Sequence, residues 1–141
     1  MDEFDLPYKD RIIVPIHQKA FGADTDYKRL LRQVMYPLKK LQSSRYQRYS
    51  WDNDRMEEWI DLWPQGIIVV EGVYAIRSEL SPLYDLRVWL ECPTDIRLER
   101  GLKRDGEVAR DRWITDWLPM EERYLTLDNP MQRADIILQT G

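Results

Sequence analysis

The sequence predicts an α/β fold, a parallel sheet with helices packed on both of its faces. Short branched apolar runs at 67–70, 86–90 and 134–138 alternate with longer stretches of helical periodicity. Those runs are nearly continuous rather than alternating, as in strands buried on both sides. At 141 residues the chain has the length for one domain with a core, and not for two.

Each element has its own local reason. After a loop-like start, residues 24–41 place Leu30, Leu31, Val34, Met35, Leu38 and Leu41 at helical spacing, with Asp24 or Thr25 as N-cap. Pro37 lacks an N–H and its ring collides with the carbonyl four residues earlier, so it kinks that helix or ends its first part. Residues 45–55 (RYQRYSWDNDR) mix polar and aromatic side chains, which predicts a surface ribbon or loop rather than a core element. In GIIVVEG (66–72) a strand at 67–70 is bounded by Pro64 and Gly66 in front and Gly72 behind, and Glu71 leaves its end. A second strand at 86–90 is closed by Cys92-Pro93. A helix follows from Thr94, its N-cap, to about Arg104, with Asp95 in the first turn where the helix dipole favours an acid. Gly101 within it costs about 1 kcal/mol against alanine. A further helix over 107–127 carries Trp113, Trp117, Met120 and Tyr124 on one face and is interrupted by Pro119; a short strand at 134–138 ends the pattern.

Composition narrows the function. A net charge of −4 and a pI near 5.1 argue against a general nucleic-acid binder. One cysteine, Cys92, and one histidine, His17, exclude an internal disulfide and the usual zinc sites, and fit a reducing cytoplasm. No apolar run approaches the about 18 residues of a membrane span, and no basic-then-apolar leader is seen.

The chemistry-bearing residues are an acid and an arginine stripe. Arg97, Arg100 and Arg104 are spaced i, i+3, i+7 on one helical face, and Arg110 follows the Asp105-Gly106 turn. Guanidinium forks match phosphate oxygens; the plainer reading is a solvated face paired with Glu99, Asp105 or Glu107. Glu71 either marks where a strand surfaces or manages a metal ion and phosphates. An acid at a strand end, a second strand and an arginine-striped helix stand in the order found in phosphoryl-transfer kinases, where positioning and charge neutralisation do most of the work.

With GIIVVEGVYAIRSEL, YDLRVWLECP, RLERGLKRDGEVARDRW, MEERYL and RADIIL, and upstream DYKRLLRQVMYPLKKL and RYQRYSWD, the chain resembles the uridine kinase-like branch of P-loop nucleoside kinases over nearly its whole length. The resemblance implies a P-loop NTPase sheet, ATP or GTP with Mg2+, and transfer of the γ-phosphate to the hydroxyl of a nucleoside-like small molecule. It makes Asp2 the general base, with Glu3 beside it on the acceptor side. Glu71 and Asp2 become the magnesium acids. Arg97, Arg100, Arg104 and Arg110 become lid residues on the phosphates, Arg104 among the catalytic groups. Tyr46, Tyr49, Trp51 and Arg77 fall to the acceptor. Residues 24–63 correspond to an acceptor-binding insertion and 94–112 to the lid, within a single incomplete domain spanning 1–141.

Two departures qualify the resemblance. Ser50 stands where many relatives carry aspartate, so uridine itself is left open as the acceptor. No G-x-x-x-x-G-K-[ST] run occurs, and with it go the backbone cradle for the phosphates, the lysine and the magnesium-binding hydroxyl. A sheet lacking the matching strand would leave unpaired backbone groups at about 1–3 kcal/mol each. The expectation is therefore a fragment whose start has been placed at an internal methionine and which is inactive alone, a chain needing a partner, or a rearranged sheet. A kinase-derived binding module without turnover, exposing Tyr46 to Trp59, is the alternative. No membrane or nucleic-acid partner is expected, and a homo-oligomer is left open.

Overall fold

The helices begin and bend where their caps and prolines dictate. In the computed structural model, which describes residues 1–141, α1 (27–39) starts at Asp26, whose carboxylate accepts from the backbone N–H of Arg29 at 2.9 Å. The cap lies one residue beyond Thr25 and two beyond Asp24, the residues expected there. Regular turns Tyr27–Leu30 and Tyr36–Lys39 flank a widened π-type turn, Leu31–Met35. The second helix, α2 (Thr94–Asp105), has Pro93 rather than Thr94 at its N-cap. Thr94 instead accepts from Arg97 Nη2 at 2.8 Å through its hydroxyl. The third helix, α3 (110–128), contains a second widened turn, Trp113–Trp117. Both widened turns sit two residues ahead of a proline, Pro37 or Pro119, and accommodate the ring without ending the helix.

Backbone contacts gather the chain into two compact units, residues 1–13 with 22–75 and residues 14–21 with 76–141. In the first, Leu30, Leu31, Val34 and Met35 of α1 are buried, together with Phe4 of a short turn, Asp2–Phe4. The stretch expected as a ribbon or loop forms an antiparallel hairpin, β1 (Ser44–Ser50) and β2 (Arg55–Leu62). Tyr49 and Ser50 at its tip end are buried, so the segment is not purely surface. Between the pairs Gln47–Trp59 and Tyr49–Met56, β2 carries one extra residue. This bulge sets Glu57 and Glu58 opposite Arg48, which pairs with both, at 2.6 and 2.7 Å.

The expected strand at 67–70 does not form. Those residues pair with no strand, and Ile67 and Val69 are 93% and 77% exposed. A strand needs a neighbour for its N–H and C=O groups, and the hairpin strands pair only with each other.

In the second unit β3 (Val88–Glu91) and β4 (Ile136–Gln139) form a two-stranded parallel sheet, locked at its start by Arg87 on Asp135 at 2.7 Å. Both strands keep exposed apolar residues. The core lies among Ala75-adjacent Ile76, Leu80, Leu102, Met120 and Tyr124. Here Arg77, 6% exposed, holds Glu79 through two bonds of 2.8 and 2.9 Å. Arg133 donates to the carbonyls of Ile76 and Asp128. Cys92 is buried as expected, its sulfur accepting from Arg100 at 3.6 Å, and His17 lies in a turn where its carbonyl accepts from Arg123. No helix is long and apolar enough to cross a membrane. Gly101 explains its own cost: a Cβ there would overlap the Trp113 indole, which packs on α2 and donates to Asp105 at 3.0 Å.

Gly101→Ala should therefore destabilise the fold by about 1–2 kcal/mol in urea unfolding, overpacking outweighing the gain of about 1 kcal/mol in helix propensity. A second outcome concerns acid. Arg77 holds the Glu79 carboxyl down at about 2, from an ordinary 4.5. Because the folded value is depressed, the ion pair stabilises above pH 4.5 and its contribution is lost as pH falls towards 2. Thermal unfolding of Glu79→Gln should show a lower midpoint than the parent at pH 7, with the gap closing across that window.

Candidate functional site

Gly72 allows the first turn of the chain to close onto Glu71. Its φ of +129° lies where side chains are strained, and a Cβ would come 2.7 Å from the Met1 Cβ. The nitrogen of Met1 donates to the Glu71 carbonyl at 2.5 Å. The turn that follows exposes Asp2 and Glu3 and buries Phe4. Beside it opens a cavity of about 190 Å3 whose polar edge is Glu3, Tyr46 and Glu71 and whose apolar wall includes Phe4, Leu30 and Val69.

Tyr46 spans this cavity's rim. Its hydroxyl donates to Glu3 Oε2 at 2.5 Å, and its ring stacks on Phe4 with centroids 5.0 Å apart. Burial, then the Glu3 carboxylate, pushes the Tyr46 phenol up to about 12. Tyr49 and Trp51 belong to a neighbouring cluster around Arg11. The guanidinium of Arg11 lies 4.3 Å from the Tyr8 ring centre and 4.9 Å from that of Trp51. Tyr49 donates to Asp54 at 2.8 Å and accepts from Arg11 at 3.4 Å; burial and Asp54 raise its phenol to about 12. Ser50 accepts from the N–H of Asn53 at 3.3 Å, so its hydroxyl serves the hairpin turn.

Sequence reasoning passed over Arg11, Asp5 and Arg29. Asp5 pairs with Arg11 at 3.6 Å and accepts from Thr25 at 3.0 Å, yet burial lifts its carboxyl to about 6. No periodic spacing marks these residues, since Thr25 lies 20 residues from Asp5, Tyr49 38 from Arg11 and Glu3 26 from Arg29.

The four lid arginines all belong to the second unit, and each has a partner there. Arg97 pairs with Glu121, Arg100 reaches Cys92, Arg104 holds Asp105 at 2.7 Å and Arg110 holds Glu107 at 2.7 Å. Asp105 and Glu107 were among the partners that the plainer reading named; Glu121 and Cys92 were not. Arg104 and Arg110 depress the Asp105 and Glu107 carboxyls below their usual range. Arg77 is committed to Glu79. Leu98, Leu102, Lys103 and Arg110 line an open groove of about 430 Å3. No group of three or more His, Cys, Asp or Glu side chains is placed to hold a metal ion. The exposed carboxylates of Asp2 and Glu71 are hard oxygen donors, the kind that binds Mg2+ when water and substrate phosphates supply the remaining ligands.

Known proteins are similar in sequence and in fold. A uridine kinase of Borrelia duttonii (strain Ly) is 35% identical over 133 residues, covering 89% of this chain and 62% of that protein. One of Bacillus pumilus (strain SAFR-032) is 28% identical over 157 residues, covering 97% and 70%. The chain spans 58% to 70% of the length of such curated relatives. A solved structure described as a possible uridine kinase from Bacillus stearothermophilus superposes with a TM-score of 0.74 at 22% identity, over 98% of this chain and 68% of that one, which shows a shared fold. The profile of the phosphoribulokinase / uridine kinase family matches residues 16–141, and with it the fold and the relatives agree: the chain belongs to that family.

Proposed function

We propose that this domain serves a phosphotransferase that moves the γ-phosphate of ATP or GTP to the hydroxyl of a nucleoside-like acceptor. One observation carries the reading: Glu3, Tyr46 and Glu71, chosen from the sequence, line a single cavity beside the turn that bears Asp2. The acceptor sits in that cavity, its apolar face on Phe4 and its polar groups toward Glu3 and Tyr46. Asp2 takes the proton of the acceptor hydroxyl. The freed oxygen attacks the γ-phosphorus, and the bond to the bridging oxygen breaks to release the nucleoside diphosphate. Residues 24–63 form the acceptor-binding insertion.

Glu71 and Asp2 would hold Mg2+, which neutralises phosphate charge when bound. The arginines of 94–112 act as a lid. Arg97, Arg104 and Arg110 exchange their present carboxylates for phosphate oxygens, and Arg100 exchanges the Cys92 sulfur, an exchange that bidentate guanidinium geometry permits. Since no G-x-x-x-x-G-K-[ST] run occurs among the 141 residues, transfer requires a phosphate-binding element beyond them, and these residues alone are inactive. A cytoplasmic location fits the single buried cysteine.

The test is radiolabelled phosphoryl transfer from ATP and from GTP to a panel of nucleosides, using the protein as it occurs in its source. At least one nucleoside should be phosphorylated. Asp2→Asn should then lower kcat by about 10²–10⁴-fold with little change in acceptor KM. Nucleoside binding with no transfer to any acceptor would replace this reading with that of a binding module.

A further inference from the structure

We propose that Arg29 is the positioning residue of the acceptor cavity, its guanidinium fixing the turn that bears Asp2 and Glu3 against the strand that bears Tyr46. The inference deepens the phosphotransferase reading above and rests on it for its functional consequence.

The geometry is that of one planar fork gripping two separate stretches of backbone. Arg29 sits in the first turn of α1 and is 9% exposed. Its Nη1 donates to the carbonyl of Gln47 in β1 at 2.5 Å. Its Nη2 donates to the carbonyls of Glu3 and Asp5 at 3.1 and 3.3 Å. The guanidinium carbon lies 4.8 Å from the centre of the Phe4 ring, and Nε is 3.7 Å from the Asp26 carboxylate that caps the same helix. Neighbouring backbone bonds extend the grip: Asp26 N–H donates to the Phe4 carbonyl and Leu6 N–H to that of Asp24, both at 2.7 Å.

The consequence falls on the cavity. The bond from Tyr46 to Glu3 crosses between the two gripped stretches, and Arg29 bonds the main chain of Glu3 itself and of Gln47, next to Tyr46. The separation of the two walls is therefore set by the span of one guanidinium. A lysine ammonium at this position is a compact point donor and cannot reach three carbonyls in a fixed plane. Misplacement of about 1 Å in such a site costs on the order of 100-fold in rate.

The experiment compares the parent protein, as it occurs in its source, with Arg29→Lys and Arg29→Ala. Acceptor and donor kinetics are measured with the nucleoside found in the transfer assay, and amide hydrogen exchange is followed residue by residue. In Arg29→Lys the acceptor KM should rise about tenfold while the donor KM stays within about twofold. Exchange at the amides of Phe4, Leu6 and Asp26 should quicken by about tenfold, with that of Gly106 in the other unit unchanged. Added guanidinium should restore part of the acceptor affinity of Arg29→Ala. A folded Arg29→Lys protein with parental acceptor KM overturns the proposal. So does a uniform rise in exchange with both KM values unchanged, which is the mark of a merely structural residue. If the parent phosphorylates no acceptor, the phosphotransferase reading fails by itself. The exchange pattern then decides alone: local quickening keeps Arg29 as the residue that spaces the cavity walls, and unchanged or uniform exchange removes it.

Discussion

The first unit depends on a buried positive charge being fully satisfied. Burial lowers the guanidinium of Arg29 from its ordinary value, and the carboxylates of Asp26 and Asp5 oppose that shift. Hydrogen bonds to a charged group contribute about 1.5–3 kcal/mol each, whereas a buried carbonyl left without a donor costs about 1–3 kcal/mol. The three carbonyls on Arg29 therefore make this side chain the point where a three-residue turn, a strand and a helix start are held to one another. Without it the Asp2–Phe4 turn would be held by its own short-range bonds, the bridge between Asp5 and Thr25, Tyr46 on Glu3 and Phe4, and the bond of Met1 to Glu71.

The second unit uses the same device with other residues. Arg133 ties Ile76 to the end of α3 through carbonyls, while Asp128 also accepts from Ser78 N–H at 3.1 Å. Trp113 rests where Gly101 leaves room and orients Asp105, which in turn holds Arg104. Arg104 and Arg110 of the lid segment are thus held in place by neighbouring acids at the cost of being neutralised. Such exposed pairs are weak in water and are readily traded for a stronger anion.

What could be read from the chain follows from what each pattern reports. Helical spacing reports a face, so all three helices were legible, though each began or ended a few residues from expectation. Apolar runs report a demand for cover without naming the neighbour: β3 and β4 found each other, and 67–70 found no partner. The hairpin was illegible as sheet because β1 and β2 are charged and aromatic, and their pairing leans on Arg48 against two glutamates across a bulge. Within the site, Glu3, Tyr46 and Glu71 were reached through family resemblance and meet around one cavity. Arg29 and Arg11 were two among many basic residues, and nothing in sequence marks a side chain whose partners are main-chain carbonyls or distant rings.

The widened turns ahead of Pro37 and Pro119 have a consequence for how the chain can drift. Such a turn takes up about one residue more than a regular one, so it rotates all that follows by about 100°. The buried Met120 and Tyr124 of α3 keep their orientation only in that altered phase. Removing one residue from Leu31–Met35 or Trp113–Trp117 would bring a proline ring against the carbonyl four positions back and turn the buried side outward. Loops absorb insertions and deletions with little penalty. These two turns are instead held in length by the proline that follows each.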